Sequence, residues 1–146
     1  MARVASAVVN RGKMPHTQYV LPLEHCTEQL RDETAVRLLS TNSAELLQRY
    51  MSDESMNQSR RQKPAVELPS CVGGKTGTPE RYHYITQFKR ETLNDGWYVF
   101  FVKGQDEKHS LAVCVRMERC SGSGDAVRLT QSVVLESLYA NGYINR

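Results

Sequence analysis

The sequence predicts an α+β protein in which a three-stranded antiparallel meander is packed by a C-terminal helix, with two further helices ahead of the sheet. Three observations carry this. Apolar residues in the front third recur at helical spacing, the back half holds three strand-sized apolar runs with polar or glycine-rich connections, and an amphipathic stretch closes the chain.

In chain order, residues 1–12 place Val4, Val8 and the alanines on one stripe that ends at Asn10-Arg11-Gly12, a helix C-terminal cap. Nothing stands in front of this helix to cap its first N–H groups, so we expect residues that normally precede it to be absent. A second helix is expected from near Asp32, its cap, to about Asp53, with Val36, Leu39, Leu46, Leu47 and Tyr50 near a 3.6-residue period. The polar, basic run from Ser52 to Lys63, followed by Pro64, predicts a mobile surface loop. The first strand lies within Val66 to Thr78. The second, Gly96-Trp97-Tyr98-Val99-Phe100-Phe101-Val102, is dense in β-branched and aromatic residues. The polar turn Lys103 to Lys108 then returns the chain as an antiparallel third strand, Leu111 to Met117. After Ser121-Gly122-Ser123-Gly124, a helix over Asp125 to Ala140 offers Val127, Leu129, Val133, Val134, Leu135 and Leu138 to the sheet, and Asn141-Gly142 closes it. Residues 1–146 thus divide into a helical part, 1–53, a loop, 54–65, and the sheet with its closing helix, 66–146.

A chain of 146 residues suits one domain, which commonly runs about 100–150 residues. Its 40% hydrophobic and 24% charged residues are those of an ordinary globular protein. Nineteen Lys and Arg against sixteen Asp and Glu leave a net charge of +3, too mild to argue for a nucleic-acid or membrane partner. No apolar run approaches the roughly 20 residues of a membrane helix, and Met1 to Val9 is too weakly apolar for a signal peptide. The chain itself is therefore expected to be soluble. Cys26, Cys71, Cys114 and Cys120 form no dense framework and decide no redox compartment. His16, His25, His83 and His109 are scattered without metal-ligand spacing, so neither a metal nor a cofactor is expected.

The chemistry lies in Gly73-Gly74-Lys75-Thr76-Gly77-Thr78-Pro79. Gly74-Lys75-Thr76 matches the end of a phosphate-loop pattern, but the first glycine of that pattern falls on Pro69, and Gly77 and Pro79 would stop the helix it needs. On a strand, Thr76 and Thr78 share one face and Lys75 and Gly77 the other. Hydroxyl donors beside a cation can hold a carboxylate, backbone N–H groups can stabilise an oxyanion, and Gly77 removes a side chain where a ligand or another element comes close.

The succession Lys75-Thr76-Gly77-Thr78, Asp95-Gly96-Trp97-Tyr98-Val99, Leu111-Ala112-Val113-Cys114-Val115, Gly/Ser loop and terminal helix resembles the C-terminal part of penicillin-binding protein transpeptidase domains. Met1-Ala2-Arg3 through Asn10-Arg11-Gly12-Lys13-Met14-Pro15 looks like a helix of that family ending in Asn-Gly-Gly-x before a proline. Glu33-Thr34-Ala35 with Leu38-Leu39 looks like the next one. The resemblance covers nearly the whole chain, most specifically residues 73–140, and implies a partial β-lactamase/transpeptidase-like fold. It implies that Lys75 supplies positive charge beside the reacting groups. It further implies that Thr76 binds the carboxylate of a D-Ala-D-Ala terminus or a β-lactam, that Gly77 lies in the same binding strand, and that the Thr78 N–H serves the oxyanion hole.

The family's Ser-x-x-Lys nucleophile motif has no match, since no serine here has a lysine three positions later. Ser40-Thr41-Asn42 and Ser55-Met56-Asn57 fit Ser-x-Asn only formally, because the family's motif precedes the region that residues 1–13 resemble. The expected function is the C-terminal half of a peptidoglycan D,D-transpeptidase, inactive alone. The rival is a non-catalytic relative that binds a peptide or partner through the same strand. The resemblance implies an envelope-anchored parent facing the periplasm or cell exterior. It also implies further strands contributed by earlier sequence, so we expect open sheet edges and dependence on that missing portion or self-association.

Overall fold

The computed structural model describes residues 1–15, 35–61, 68–104 and 110–144. Its elements are α1 (Ala2–Val9), β1 (Lys13–Met14), β2 (Val36–Arg37), α2 (Thr41–Arg61), β3 (Val72–Gly77), β4 (Glu80–Thr86), β5 (Lys89–Asn94), β6 (Gly96–Val102) and β7 (Leu111–Met117). A closing helix follows, α3 (Ser123–Leu129), which passes through a π-helical stretch, Thr130–Leu135, into α4 (Glu136–Ala140). The architecture is the α+β arrangement expected, with an antiparallel sheet ordered β3-β6-β7 and a C-terminal helix against it.

Helix α1 ends at the expected cap. Gly12 adopts φ +90°, its N–H donates to Ala7 O at 2.8 Å, and a Cβ there would lie 2.1 Å from Leu39 O. The Gly12 carbonyl accepts from the N–H groups of Leu38 and Leu39. These contacts anchor the chain just after Val36–Arg37, which pair as β2 with β1 where the sequence reading has a helix. The expected cap Asp32 lies outside the described residues. Ser40 takes that role, its Oγ accepting from Ser43 N–H at 3.1 Å.

The expected loop is likewise corrected over 52–61, because α2 runs on to Arg61; its remaining residues, 62–65, lie outside the described residues. Its polar side chains stand mostly on exposed faces, Ser55 faces inward, and Arg60 and Arg61 sit where a helix C-terminus favours cations. Gln48 of α2 donates to Val8 O at 2.8 Å, satisfying a terminal carbonyl of α1.

In the sheet, Val72 to Gly77 pair in register with Val102 to Trp97, and Gly96 to Val102 with Met117 to Leu111. Directly opposed residues share a face. One face presents Val72, Tyr98, Phe100, Val102 and Val115 to Ala126, Val127, Leu135 and Ile144, forming the main core. The other carries Gly73, Lys75, Gly77, Trp97, Val99 and Phe101. Helix α1 packs against β6 and β7, and α2 lies along β3. Of the apolar residues offered by the closing helix, Val127, Val134, Leu135 and Leu138 meet the core. Leu129 and Val133 are exposed, since at helical spacing they fall on the far side from Val127.

The sequence reading also has no strands between Thr78 and Gly96. The structure places a separate hairpin there, β4 with β5, whose side chains are largely exposed. Only Leu93 and Asn94 at its end are half-buried, so the apolar alternation that marks a core strand is missing.

Candidate functional site

Strand β3 is an outer strand of its sheet among the described residues, and it carries Lys75, Thr76 and Gly77 in sequence, with Thr78 just past its end. Two glycines at its start set its distance from β6. A Cβ on Gly73 would lie 2.3 Å from Phe101 Cζ, and one on Gly74 would lie 2.7 Å from the Tyr98 ring. Both rings are fully buried, so β3 can lie over them only while these positions lack side chains.

Lys75 lies opposite Val99, and its side chain is 65% exposed. Its Nζ donates to Thr76 O at 3.0 Å and stands 3.9 Å from Glu54 Oε1 of α2. At that distance, with the lysine end largely in water, the pair is weak, so the ammonium is held near the strand yet available to an anion. Thr76 lies opposite Tyr98, on the other face. Gly77 lies opposite Trp97, and a Cβ there would meet nothing closer than Trp97 Cβ at 3.8 Å. No contact within the described residues requires glycine at 77. Thr78 Oγ1 accepts from Ser123 N–H at 3.0 Å, and a Cβ on Gly122 would lie 3.4 Å from the Thr78 side chain. This bond ties the end of β3 to the start of α3. The Thr78 N–H comes one step past the last ladder pair, Gly77 with Trp97.

Beside this end lies a charge cluster that sequence reasoning missed. Asp95 is only 3% exposed. Its Oδ2 accepts from Arg116 Nη2 at 2.8 Å, and its Oδ1 accepts from Arg81 Nε at 3.2 Å and from Arg119 N–H at 3.1 Å. The Arg116 hydrogen bond is the main reason that the Asp95 carboxyl is held below the usual carboxylate range, and the same bond raises Arg116 further. Glu118 joins both arginines, and Arg116 also stands over the Trp97 ring, 5.4 Å from its centroid. The Asp95 N–H donates to Pro79 O at 3.1 Å. Side chain and main chain of one buried aspartate thus join the exit of β3, the base of the hairpin and β7. Asp95-Gly96-Trp97 is visible as a motif in the sequence, but partners drawn from Arg81 and Arg116 are not.

The two formal Ser-x-Asn matches have structural tasks. Ser40 caps α2, and the buried Ser55 hydroxyl bonds the Tyr98 hydroxyl. Burial pushes Tyr98 up to about 12, against the lowering effect of that bond. Cys71, Cys114 and Cys120 are free thiols, and burial raises Cys71. Cys26, His16, His25 and His109 lie outside the described residues. Among the described residues no three of His, Cys, Asp and Glu come together to hold a metal, and no helix is long and apolar enough to cross a membrane.

Compared with protein-family models, residues 1–134 match Transpeptidase, described as the penicillin binding protein transpeptidase domain. No curated protein matches the chain.

Proposed function

The chain belongs to the penicillin-binding protein transpeptidase domain family, and from that premise we propose that it supplies the Lys-Thr-Gly wall of a peptidoglycan D,D-transpeptidase site. The observation that carries this reading is the state of β3. Its Lys75 ammonium is exposed and weakly paired, and Gly77 stands free of any crowding that would explain it.

In this reading the Thr76 hydroxyl binds the carboxylate of a D-Ala-D-Ala terminus or a β-lactam, and Lys75 supplies positive charge beside the reacting groups. Gly77 lets the peptide backbone lie close against the strand. The Thr78 N–H is one donor to the oxyanion, its strand end steadied by the bond from Ser123 to Thr78 Oγ1. The attacking serine and its activating lysine come from a Ser-x-x-Lys segment, which does not occur in these 146 residues. The chain alone therefore binds and orients but does not acylate. That segment is its first partner, and the parent is anchored in the cell envelope. The cell-wall role and β-lactam binding rest on the same strand.

Titration of the isotope-labelled chain with N-acetyl-D-Ala-D-Ala, followed by amide resonances, tests this. The free acid should shift Thr76, Gly77 and Thr78, and the C-terminal amide of the same dipeptide should not. Equal effects from both, or shifts scattered away from β3, would refute carboxylate recognition by the strand.

A further inference from the structure

Thr78 stands between a glycine and a proline, and its backbone is held mainly from the proline side. Gly77 pairs with Trp97, but it has no side chain to restrain the peptide plane that carries the Thr78 N–H, and a Cβ there would meet nothing closer than 3.8 Å. Beyond Thr78, the ring of Pro79 fixes its φ, and the Pro79 carbonyl accepts from the Asp95 N–H at 3.1 Å. The Thr78 side chain is tied separately, through Oγ1 to Ser123 N–H. The main chain just after Thr78 is therefore as steady as Asp95.

Asp95 is steady because its carboxylate is braced. At 3% exposure it accepts from Arg116 of β7 at 2.8 Å, from Arg81 of β4 at 3.2 Å and from Arg119 N–H at 3.1 Å. The donors thus come from the strand beyond β6 and from the hairpin, so the residue that holds the exit of β3 is fixed from two sides. Glu118 pairs with both arginines, Arg116 at 2.9 Å and Arg81 at 3.7 Å, and balances the second positive charge. A buried ion pair adds little stability over an apolar replacement of the same shape, but it can select one geometry.

We propose that Asp95 is a positioning residue for the oxyanion donor: through Pro79 it aims the Thr78 N–H at the scissile carbonyl, while the ligand carboxylate stays with Thr76. The inference rests on the reading of β3 given above. Asparagine has nearly the shape of aspartate but one acceptor oxygen in place of two, and its amide N–H groups would face a donor of Arg116, Arg81 or Arg119. Asp95→Asn therefore loosens the brace and leaves Thr76 and the residue-95 N–H in place.

The test is titration of the isotope-labelled full chain with N-acetyl-D-Ala-D-Ala, with circular dichroism confirming that each variant is folded at the working temperature. Arg116→Ala removes the shortest bond to Asp95 at a half-exposed side chain and is the second variant should Asp95→Asn not fold. Val102→Ala truncates a buried residue at the opposite end of β6, which softens the core without touching the cluster. In the parent the Thr78 amide proton should move downfield as it donates to the ligand carbonyl. Asp95→Asn should lose at least about half of that movement, because hydrogen bonds weaken steeply with misalignment. It should keep the Thr76 shifts and lose no more than about threefold in affinity, since a neutral hydrogen bond has a small net worth. Arg116→Ala should show the same selective loss to a smaller extent, and Val102→Ala should match the parent. A full Thr78 shift in the folded Asp95 or Arg116 variant, equal losses at Thr76 and Thr78, or the same selective loss in Val102→Ala would overturn the role of Asp95 and leave the β3 reading standing. No shift at Thr76 to Thr78 in the parent would remove that reading and this inference with it.

Discussion

Replacing Gly73 by alanine tests whether β3 sits where buried rings place it. The new Cβ would lie 2.3 Å from Phe101 Cζ and 2.9 Å from both Cε atoms, where carbon atoms rest at about 3.5–4.0 Å. The ring must therefore retreat by about 1 Å or more. Phe101 is fully buried on β6, which is laddered on both sides, so neither side chain nor strand has an easy exit. Overpacking of this kind costs about 1–3 kcal/mol, and the smaller entropy of an unfolded chain with alanine returns about 0.5 kcal/mol, leaving about 1.5 kcal/mol. At about 4 °C per kcal/mol for a chain of this size, the melting temperature should fall by about 6 °C. The matched variant is Gly77→Ala, whose Cβ meets only Trp97 Cβ at 3.8 Å. It should melt with the parent or slightly above it, yet lose the amide shifts caused by N-acetyl-D-Ala-D-Ala. Thermal melts followed by far-ultraviolet circular dichroism decide the stability half. A Gly73→Ala variant within about 2 °C of the parent, or equal losses in both variants, would refute the reasoning.

Ser55→Ala removes the partner of the buried Tyr98 hydroxyl and should cost about 1–3 kcal/mol by urea unfolding, with the Ser55→Ala, Tyr98→Phe double variant recovering part of it. Tyr98 itself stays neutral in the folded chain up to about pH 12, whereas an unfolded tyrosine ionises near its ordinary value of about 10. Stability should therefore fall between those two values, and Tyr98→Phe should flatten the fall in urea midpoints measured across this window. Asp95 shifts in the opposite sense. With its folded carboxyl held below 3.8, the stability it contributes is present above that pH and is lost as pH falls below it. Asp95→Asn should lower the urea midpoint at pH 6 and reduce its further drop at pH 3; an unchanged acid slope would contradict the Asp95 pairing.

The sheet and the candidate strand were legible because their signals are local. Gly96 to Val102 is apolar without interruption and becomes the central strand β6, and Lys75-Thr76-Gly77 is contiguous, so no tertiary information is needed to bring its members together. The errors arise where tertiary contacts override a local pattern. Val36 and Leu39 keep helical spacing with later residues, but Val36 pairs with Met14 and the Gly12 carbonyl captures the N–H groups of Leu38 and Leu39, so no helix forms there. The run Ser52 to Arg61 reads as loop because it is polar, yet one buried contact, Ser55 with Tyr98, lies on a helix that continues through it. The hairpin carries no inward-facing apolar set, and so gave no core-strand signal. The Asp95 cluster was illegible for a different reason. Ion pairs between Arg81, Asp95 and Arg116 depend on strand register, which places Arg116 opposite Trp97 and is invisible until the sheet is built.

Reconstitution tests the central claim most directly. The chain is co-expressed with a family segment carrying Ser-x-x-Lys, the folded complex is incubated with a penicillin, and intact masses of both polypeptides are recorded. A covalent adduct should form on the segment's serine only when this chain is present and be strongly reduced by Lys75→Ala, with no adduct on this chain. An adduct on the chain incubated alone would place a nucleophile within these 146 residues. A folded complex that never acylates would contradict the assignment of β3 as the missing wall of a transpeptidase site.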